Sequence, residues 1–345
     1  MSTSPLHSFD AALLRWLRDG SQWQALPLAI RLQLRWRSAW ATLNRRLSEA
    51  RVADAAPLAP PLFIVGPWRS GTTVMHELLT AATGWPTPLT WQCMNATAFQ
   101  LLPAPPARSG VARPMDGLEI SALSPQEDEF ALLALGVDSA YRGFLSPERL
   151  AELAHTLDPA YWSAREAEWL PRFERFMAGV LASASQPGRR LILKSPNHSF
   201  RLPALLKRFP EAQVVWMVRD AATVFHSNRK MWQAMFAEHR LTPGAADGLE
   251  TFLGTALQSC AQVLQQLRAE LPPQRWIAVG QAELAADPRA TLAHVMRQLS
   301  LQPGPDAALE AALARTRQGR IERYEQAVPA SAAAGVAALD AAQGT

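Results

Sequence analysis

The 345-residue chain predicts an α/β fold of three layers, a central parallel sheet between two layers of helices, with a helical arm in front. Three observations carry that prediction. Four short apolar runs, at 62–65, 191–193, 214–218 and 276–279, have strand length. Each leads through a loop of polar or small residues into a helical pattern, at 72–83, 199–208, 221–235 and 288–299, which is the order of βα units. The runs are apolar enough for strands covered on both faces. With 48% apolar residues, the chain has material for one large core or two small ones.

The arm, residues 1–55, comes first. Residues 1–51 hold eight arginines against Asp10, Asp19 and Glu49, a local excess of five positive charges; the remainder of a chain whose net charge is +4 is therefore negative by one. The basic character belongs to the arm alone, and no nucleic-acid partner is expected. Trp16, Trp23, Trp36 and Trp40 recur with leucines at helical spacing, which predicts one or two amphipathic helices broken near Pro27. Such helices can lie on a membrane surface or bind a partner helix. Packing on the main domain, with the arginines turned to water, is the favoured reading because apolar helix stripes are usually core.

No apolar run approaches the roughly 20 residues of a spanning helix, and the N-terminus lacks a signal-like stretch, so a soluble, unexported, cytoplasmic protein is expected. Cys93 and Cys260 are the only cysteines and are expected as buried thiols in a reducing compartment.

Ala55–Pro61 is a proline-rich joint, after which the catalytic body is expected over 56–327. Its first segment, PLFIVGPWRSGTT, places an apolar strand before Gly66-Pro67-Trp68-Arg69-Ser70-Gly71, with Thr72 and Thr73 opening a helix. Glycines at both ends of the loop let backbone N–H groups turn inward, and the helix N-terminus adds unpaired donors, so the loop is a phosphate cradle. The sheet is accordingly expected to be of the P-loop, nucleotide-kinase-like type. Where an ATP or GTP hydrolase carries lysine, however, this chain has Thr72, and its cation sits inside the loop at Arg69.

Pro103–Pro125 is proline-rich and is expected as a lid or an acceptor-binding loop rather than sheet. The run at 191–193 leads into Lys194, one of only three lysines beside 31 arginines, at the sheet edge where ligands of open parallel sheets bind. In AQVVWMVRDAATVFHSNRK, a strand ends at Arg219 and Ser227 follows about two turns into a helix; the pair can converge on one anion. The alanine-rich tail, 328–345, is expected to be mobile.

PLFIVGPWRSGTT and VRDAATVFHSNR resemble the two cofactor motifs of sulfotransferases that use 3′-phosphoadenosine-5′-phosphosulfate (PAPS), the first for the 5′-phosphosulfate and the second for the 3′-phosphate. RPMDGLEISALSPQEDEFALL, LILKSPNHSFRLPALLKRFPEAQVVWMVRD and AELAADPRATL resemble the bacterial, RSGT-type branch, and the likeness runs from about Pro60 to Leu301. It departs from the family's cytosolic aryl branch in having Arg69 rather than lysine in the first loop. It departs again in the late motif Gly280-Gln281-Ala282-Glu283-Leu284, and Arg315–Arg320 matches the family's basic C-terminal loop only loosely.

The resemblance implies transfer of a sulfuryl group from PAPS, without a metal, to a small-molecule or lipid-like hydroxyl acceptor. Pro67, Trp68, Arg69, Ser70, Gly71, Thr72, Thr73, Arg219 and Ser227 would bind PAPS. In-line displacement builds charge on the departing oxygen, which calls for fixed cations, and Arg69 and Lys194 are the candidates. A neutral hydroxyl also needs a base. Glu127 or Glu129 in the QEDEF run is favoured, with His198 next and His76 a further possibility, although such a run and a lone histidine are more often a solvated helix start and a cap. Two other readings stand. An ATP-dependent small-molecule kinase would use Asp220 for magnesium, and a non-catalytic scaffold would bind a partner through the arm. Trp85, Trp91, Met94 and Phe99 hint at an apolar acceptor, yet such aromatics are as often packing.

Overall fold

Four parallel strands, β1 (Leu62–Val65), β2 (Ile192–Lys194), β3 (Gln213–Val218) and β4 (Trp276–Gly280), lie side by side in the order β2–β1–β3–β4. The structure is a computed structural model and describes residues 9–51, 58–107, 110–112, 119–184, 190–304, 306–316, 324 and 326–344. Ile64 stands opposite Lys194, Val65 opposite Trp216 and Val218 opposite Gly280, so the strands' C-terminal ends share one edge. The chain leaves β1 toward β2 on one side and leaves β3 toward β4 on the other. The crevice between β1 and β3 is thus a topological switch point, where open α/β sheets hold ligands.

Both faces are buried. Along β1, Phe63 and Val65 join one apolar cluster while Leu62 and Ile64 join another, the two-residue alternation of a strand in a three-layer fold. The α-helices of nine residues or more, among the described residues, are α1 (Ala11–Asp19), α2 (Leu28–Arg51), α3 (Thr72–Thr83), α4 (Glu166–Ala182), α5 (His198–Arg208), α6 (Ala221–His239), α7 (Leu249–Glu270), α8 (Pro288–Gln298), α9 (Asp306–Thr316) and α10 (Ala330–Gln343). α3 and α8 cover the Ile64 face, through Leu78 and Val295 among others; α5 and α7 cover the Phe63 face.

Three expectations change. The insertion carries a short antiparallel ladder, Val111–Ala112 against Glu119–Ile120, where no sheet was expected; its backbone groups pair locally. The tail expected to be mobile forms α10, with Val336 and Leu339 buried. A Cβ on Gly335 would lie 1.9 Å from the Gly254 carbonyl oxygen, so small residues are what let α10 cross α7 this closely. The arm divides. Asp10 caps α1 by accepting from the Ala12 N–H, Leu13 and Leu17 are buried, and Trp16 lies under the Arg149 guanidinium, 4.0 Å from its ring centroid. α2 instead leaves Trp36 and Trp40 exposed. The 55/56 boundary lies outside the described residues, but α1 and α10 both enter the core on the Phe63 face.

Candidate active site

β1 ends at Gly66, where the backbone has φ +134° and a Cβ would sit 2.7 Å from the Met217 carbonyl oxygen; only glycine fits. Gly71, at φ +95°, stands at the N-cap of α3. Between them Arg69 adopts φ +70°, the left-handed region that other side chains seldom occupy. Its surroundings over-determine that conformation. Arg69 Nε donates to Ser227 Oγ at 3.1 Å, Arg219 Nη1 donates to the Arg69 carbonyl at 2.7 Å, and Asn228 Nδ2 donates to the Trp68 carbonyl at 2.8 Å. The two stretches read from sequence as anion sites are therefore one site, with α6 and the end of β3 folded onto the β1–α3 loop. The first N–H groups of α3, from Thr72 and Thr73, open onto it with the positive end of the helix dipole.

Some expected contacts turn out to be structural. The Trp68 ring is buried, edge-on to Trp232 at 5.5 Å and against Tyr141 and Phe200; it anchors the loop in the core. Ser70 is buried, and both its Oγ and its N–H donate to the Pro67 carbonyl, at 2.8 and 3.3 Å, closing the turn. Pro67 supplies that carbonyl, and Thr73 is half-buried.

The acids of QEDEF are buried rather than solvated, and each finds its own partner in Lys194–Arg201. Glu127 Oε2 accepts from Lys194 Nζ at 2.9 Å. Asp128 Oδ2 lies 2.7 Å from His198 Nε2. Glu129 takes both guanidinium arms of Arg201, accepts from Ser139 Oγ at 2.5 Å, and lies 3.5 Å from Ser195 Oγ. The side chains of Glu129, Arg201, Asp128 and His198 are all 0% exposed, against 9% and 5% for Glu127 and Lys194. Two of the candidate bases are thereby corrected. Glu129 is the saturated counterion of Arg201, and His198 is enclosed by Phe63 and Phe173 with Asp128 on its one bonded nitrogen. Neither side chain is exposed.

Glu127 differs. Besides Lys194 it has the buried Tyr141 hydroxyl as a hydrogen-bonding neighbour, and its Oε1 is itself buried. Burial, followed by the Glu127 charge, pushes the Tyr141 phenol well above its ordinary value, so Tyr141 stays protonated beside that carboxylate. His76, 2.6 Å from Thr87 Oγ1, is held well below its ordinary value by burial and then by the charge of Lys194, and is neutral at pH 7. The Trp68–Tyr141 contact joins Glu127 to the phosphate loop.

Asp220 caps α6 by accepting from the Thr223 N–H at 2.8 Å, a structural task in place of the magnesium ligand that a kinase would need. Among the described residues, no group of three or more His, Cys, Asp and Glu is placed to hold a metal ion. Trp91 and Phe99 are buried and pack edge-on at 6.0 Å, and Trp85 lies against Arg190; the packing reading holds for these rings. A cavity of about 380 Å³ lined by Pro203, Leu206, Val263 and Arg275 opens at the opposite end of the strands. Sequence reasoning missed Ser199, which donates to the Gly66 carbonyl and accepts from its N–H. It also missed Asn228, Tyr141 and Arg201. Asn228 directly follows Ser227 and could have been found; the other three are legible only through their distant partners.

The family described as the sulfotransferase family matches residues 60–305, more than half of the chain. The chain belongs to that family. Among curated relatives it is 32% identical, over 263 residues, to omega-hydroxy-beta-dihydromenaquinone-9 sulfotransferase Stf3 of Mycobacterium tuberculosis and of Mycobacterium bovis. That match covers 75% of this chain and 66% of the relative, so the chain spans just under two thirds of the relative's length. Among solved structures, sulfotransferase STF9 of Mycobacterium avium superposes with TM-score 0.65 at 20% identity, covering 90% of this chain and 82% of that one. Sulfotransferase STF1 of Mycobacterium tuberculosis superposes with TM-score 0.60 at 22% identity, covering 88% and 84%. These two likenesses establish the sulfotransferase fold.

Proposed function

We propose that this chain transfers a sulfuryl group from PAPS to the hydroxyl of an apolar, lipid-like acceptor. The observation that carries the reading is Arg69, held at positive φ between two glycines by Ser227 and Arg219, so that two guanidinium groups and a helix N-terminus converge on one cradle. That donor set fits a polyanionic nucleotide with a phosphate at one end and a phosphosulfate at the other. When bound, PAPS supplies the sulfuryl group and a bisphosphate leaving group. Arg219 and Ser227 bind the 3′-phosphate; the N–H groups of Gly71, Thr72 and Thr73 bind the 5′-phosphate. Arg69 and Lys194 meet the charge that develops on the departing oxygen. Glu127 takes the acceptor proton, and Lys194 orients its carboxylate. The curated relative is named for a hydroxylated menaquinone, which supports a lipid-like alcohol as acceptor.

Calorimetry tests the nucleotide assignment. The expected outcome is binding of 3′,5′-ADP without magnesium, lost in Arg219→Ala. Tighter binding of Mg-ATP would replace the reading with a kinase, and binding of neither would replace it with a scaffold.

A further inference from the structure

α2 has two apolar faces. One, with Leu34 and Ala41, is buried. The other repeats every three to four residues through Leu28, Leu32, Trp36, Trp40, Leu43 and Leu47, one side of a 3.6-residue helix, and faces solvent. Trp36 is 68% and Trp40 55% exposed, their rings stacked at 6.2 Å. Among the described residues, every exposed large apolar side chain lies on α2 or is Leu102 or Leu123, so the apolar surface is concentrated in one helix and the insertion beside it. The helix is also basic: six arginines stand against Glu49, and only Arg45 is ion-paired within it. By helical geometry Arg31, Arg35 and Arg46 border one side of the exposed stripe and Arg37 the other.

We infer that α2 docks this protein on an anionic lipid surface, with the tryptophans and leucines in the boundary between headgroups and acyl chains and the arginines on lipid phosphates. The charge decides between occupants. A second copy laid on the same face would bring arginine rows against each other with almost no acid to offset them, and nucleic acid would leave the apolar stripe uncovered. No described helix is long and apolar enough to cross a membrane, so the contact is a surface one. α2 is anchored beside the site. Ser48 Oγ donates to the Thr97 carbonyl at 3.1 Å and Arg51 to that of Gln100 at 3.0 Å; the nearby Trp91 N–H bonds the Ala122 carbonyl, five residues before Glu127. Docking would bring that segment to the lipid, although the inference stands whatever the acceptor is.

Vesicle flotation of the full chain tests it, on vesicles of phosphatidylcholine alone and of phosphatidylcholine mixed equally with phosphatidylglycerol. The expected result is capture by the mixed vesicles, weak capture by the neutral ones, and a loss of roughly tenfold or more in Trp36→Glu/Trp40→Glu and in Arg35→Glu/Arg46→Glu. Thermal unfolding of both variants should match the parent, since these side chains are exposed. Equal capture by both vesicles, no capture at all, or a dimer in sedimentation that the tryptophan variant dissolves would each overturn the inference.

Discussion

Glu127–Lys194 and Glu129–Arg201 are two buried ion pairs that join the same two segments, yet they do different work. Glu129 meets Arg201 bidentately, with Ser139 and Ser195 beside it, and Arg201 stacks 4.1 Å from the Trp162 ring centroid. Its charge is fully shared and fully enclosed. Glu127 meets a single ammonium and the Tyr141 hydroxyl, on the ring that contacts the phosphate loop, and its side chain keeps 9% exposure. The lesson is that an acid's chemistry is set by how many of its lone pairs the fold has already used. One carboxylate clamps the β2–α5 segment to the helix start at 129; its neighbour has fewer partners, Lys194 and Tyr141, and is the one we propose as the base.

On the open side, Arg69→Ala should lower sulfuryl transfer by about 10² to 10³ with unfolding little changed, because one preorganised donor to developing charge is lost; steady-state kinetics with PAPS read it. On the closed side, Arg201→Ala strands the Glu129 charge. Stability should fall by about 3 to 5 kcal/mol, read by urea unfolding, and the double variant Arg201→Met/Glu129→Gln should recover part of the loss.

At the edge of the closed cluster, Asp138 gives a smaller, pH-dependent effect. Burial alone would raise this carboxyl, but hydrogen bonding to His155, the Arg142 charge and the Tyr161 hydroxyl outweigh it and hold Asp138 at about 2. Its contribution is therefore full above the ordinary carboxylate value and is lost as pH falls toward 2. His155 is raised, chiefly by its hydrogen bond to Asp138 against its burial, so its contribution is full below about 6.5 and is lost as pH rises past its folded value. Asp138→Asn should cost roughly 2 kcal/mol near pH 5 and progressively less on approaching pH 2. A constant difference across that range would contradict the assignment.

Local chemistry was legible and tertiary partnering was not. β1, its loop and α3 could be read because glycine spacing, an apolar run and helix-opening threonines are short-range signals that the fold obeys, and α3 begins and ends where its pattern does. The pairing of Arg219 with Ser227 was readable from an eight-residue spacing as a second anion site; that both meet Arg69, making one site of two, was not. The acids at 127–129 were not. Their solvated appearance was reversed by partners 66 or more residues away, and nothing local distinguishes Glu127 from Glu129. The alanine-rich tail failed for a related reason: small residues look mobile until a second helix offers a glycine to cross. α2 failed in the opposite sense, since a stripe that reads as core is exposed.

The most direct test of the division of labour is the rate of PAPS-dependent sulfuryl transfer to a hydroxyl acceptor that the parent protein sulfates, compared between Glu127→Gln and Glu129→Gln and normalised to folded protein. Transfer should fall by about 10² to 10⁴ in the first while 3′,5′-ADP still binds, and should stay within a few-fold of the parent in the second. Equal rates in the two variants, or a larger loss in Glu129→Gln, would contradict the account.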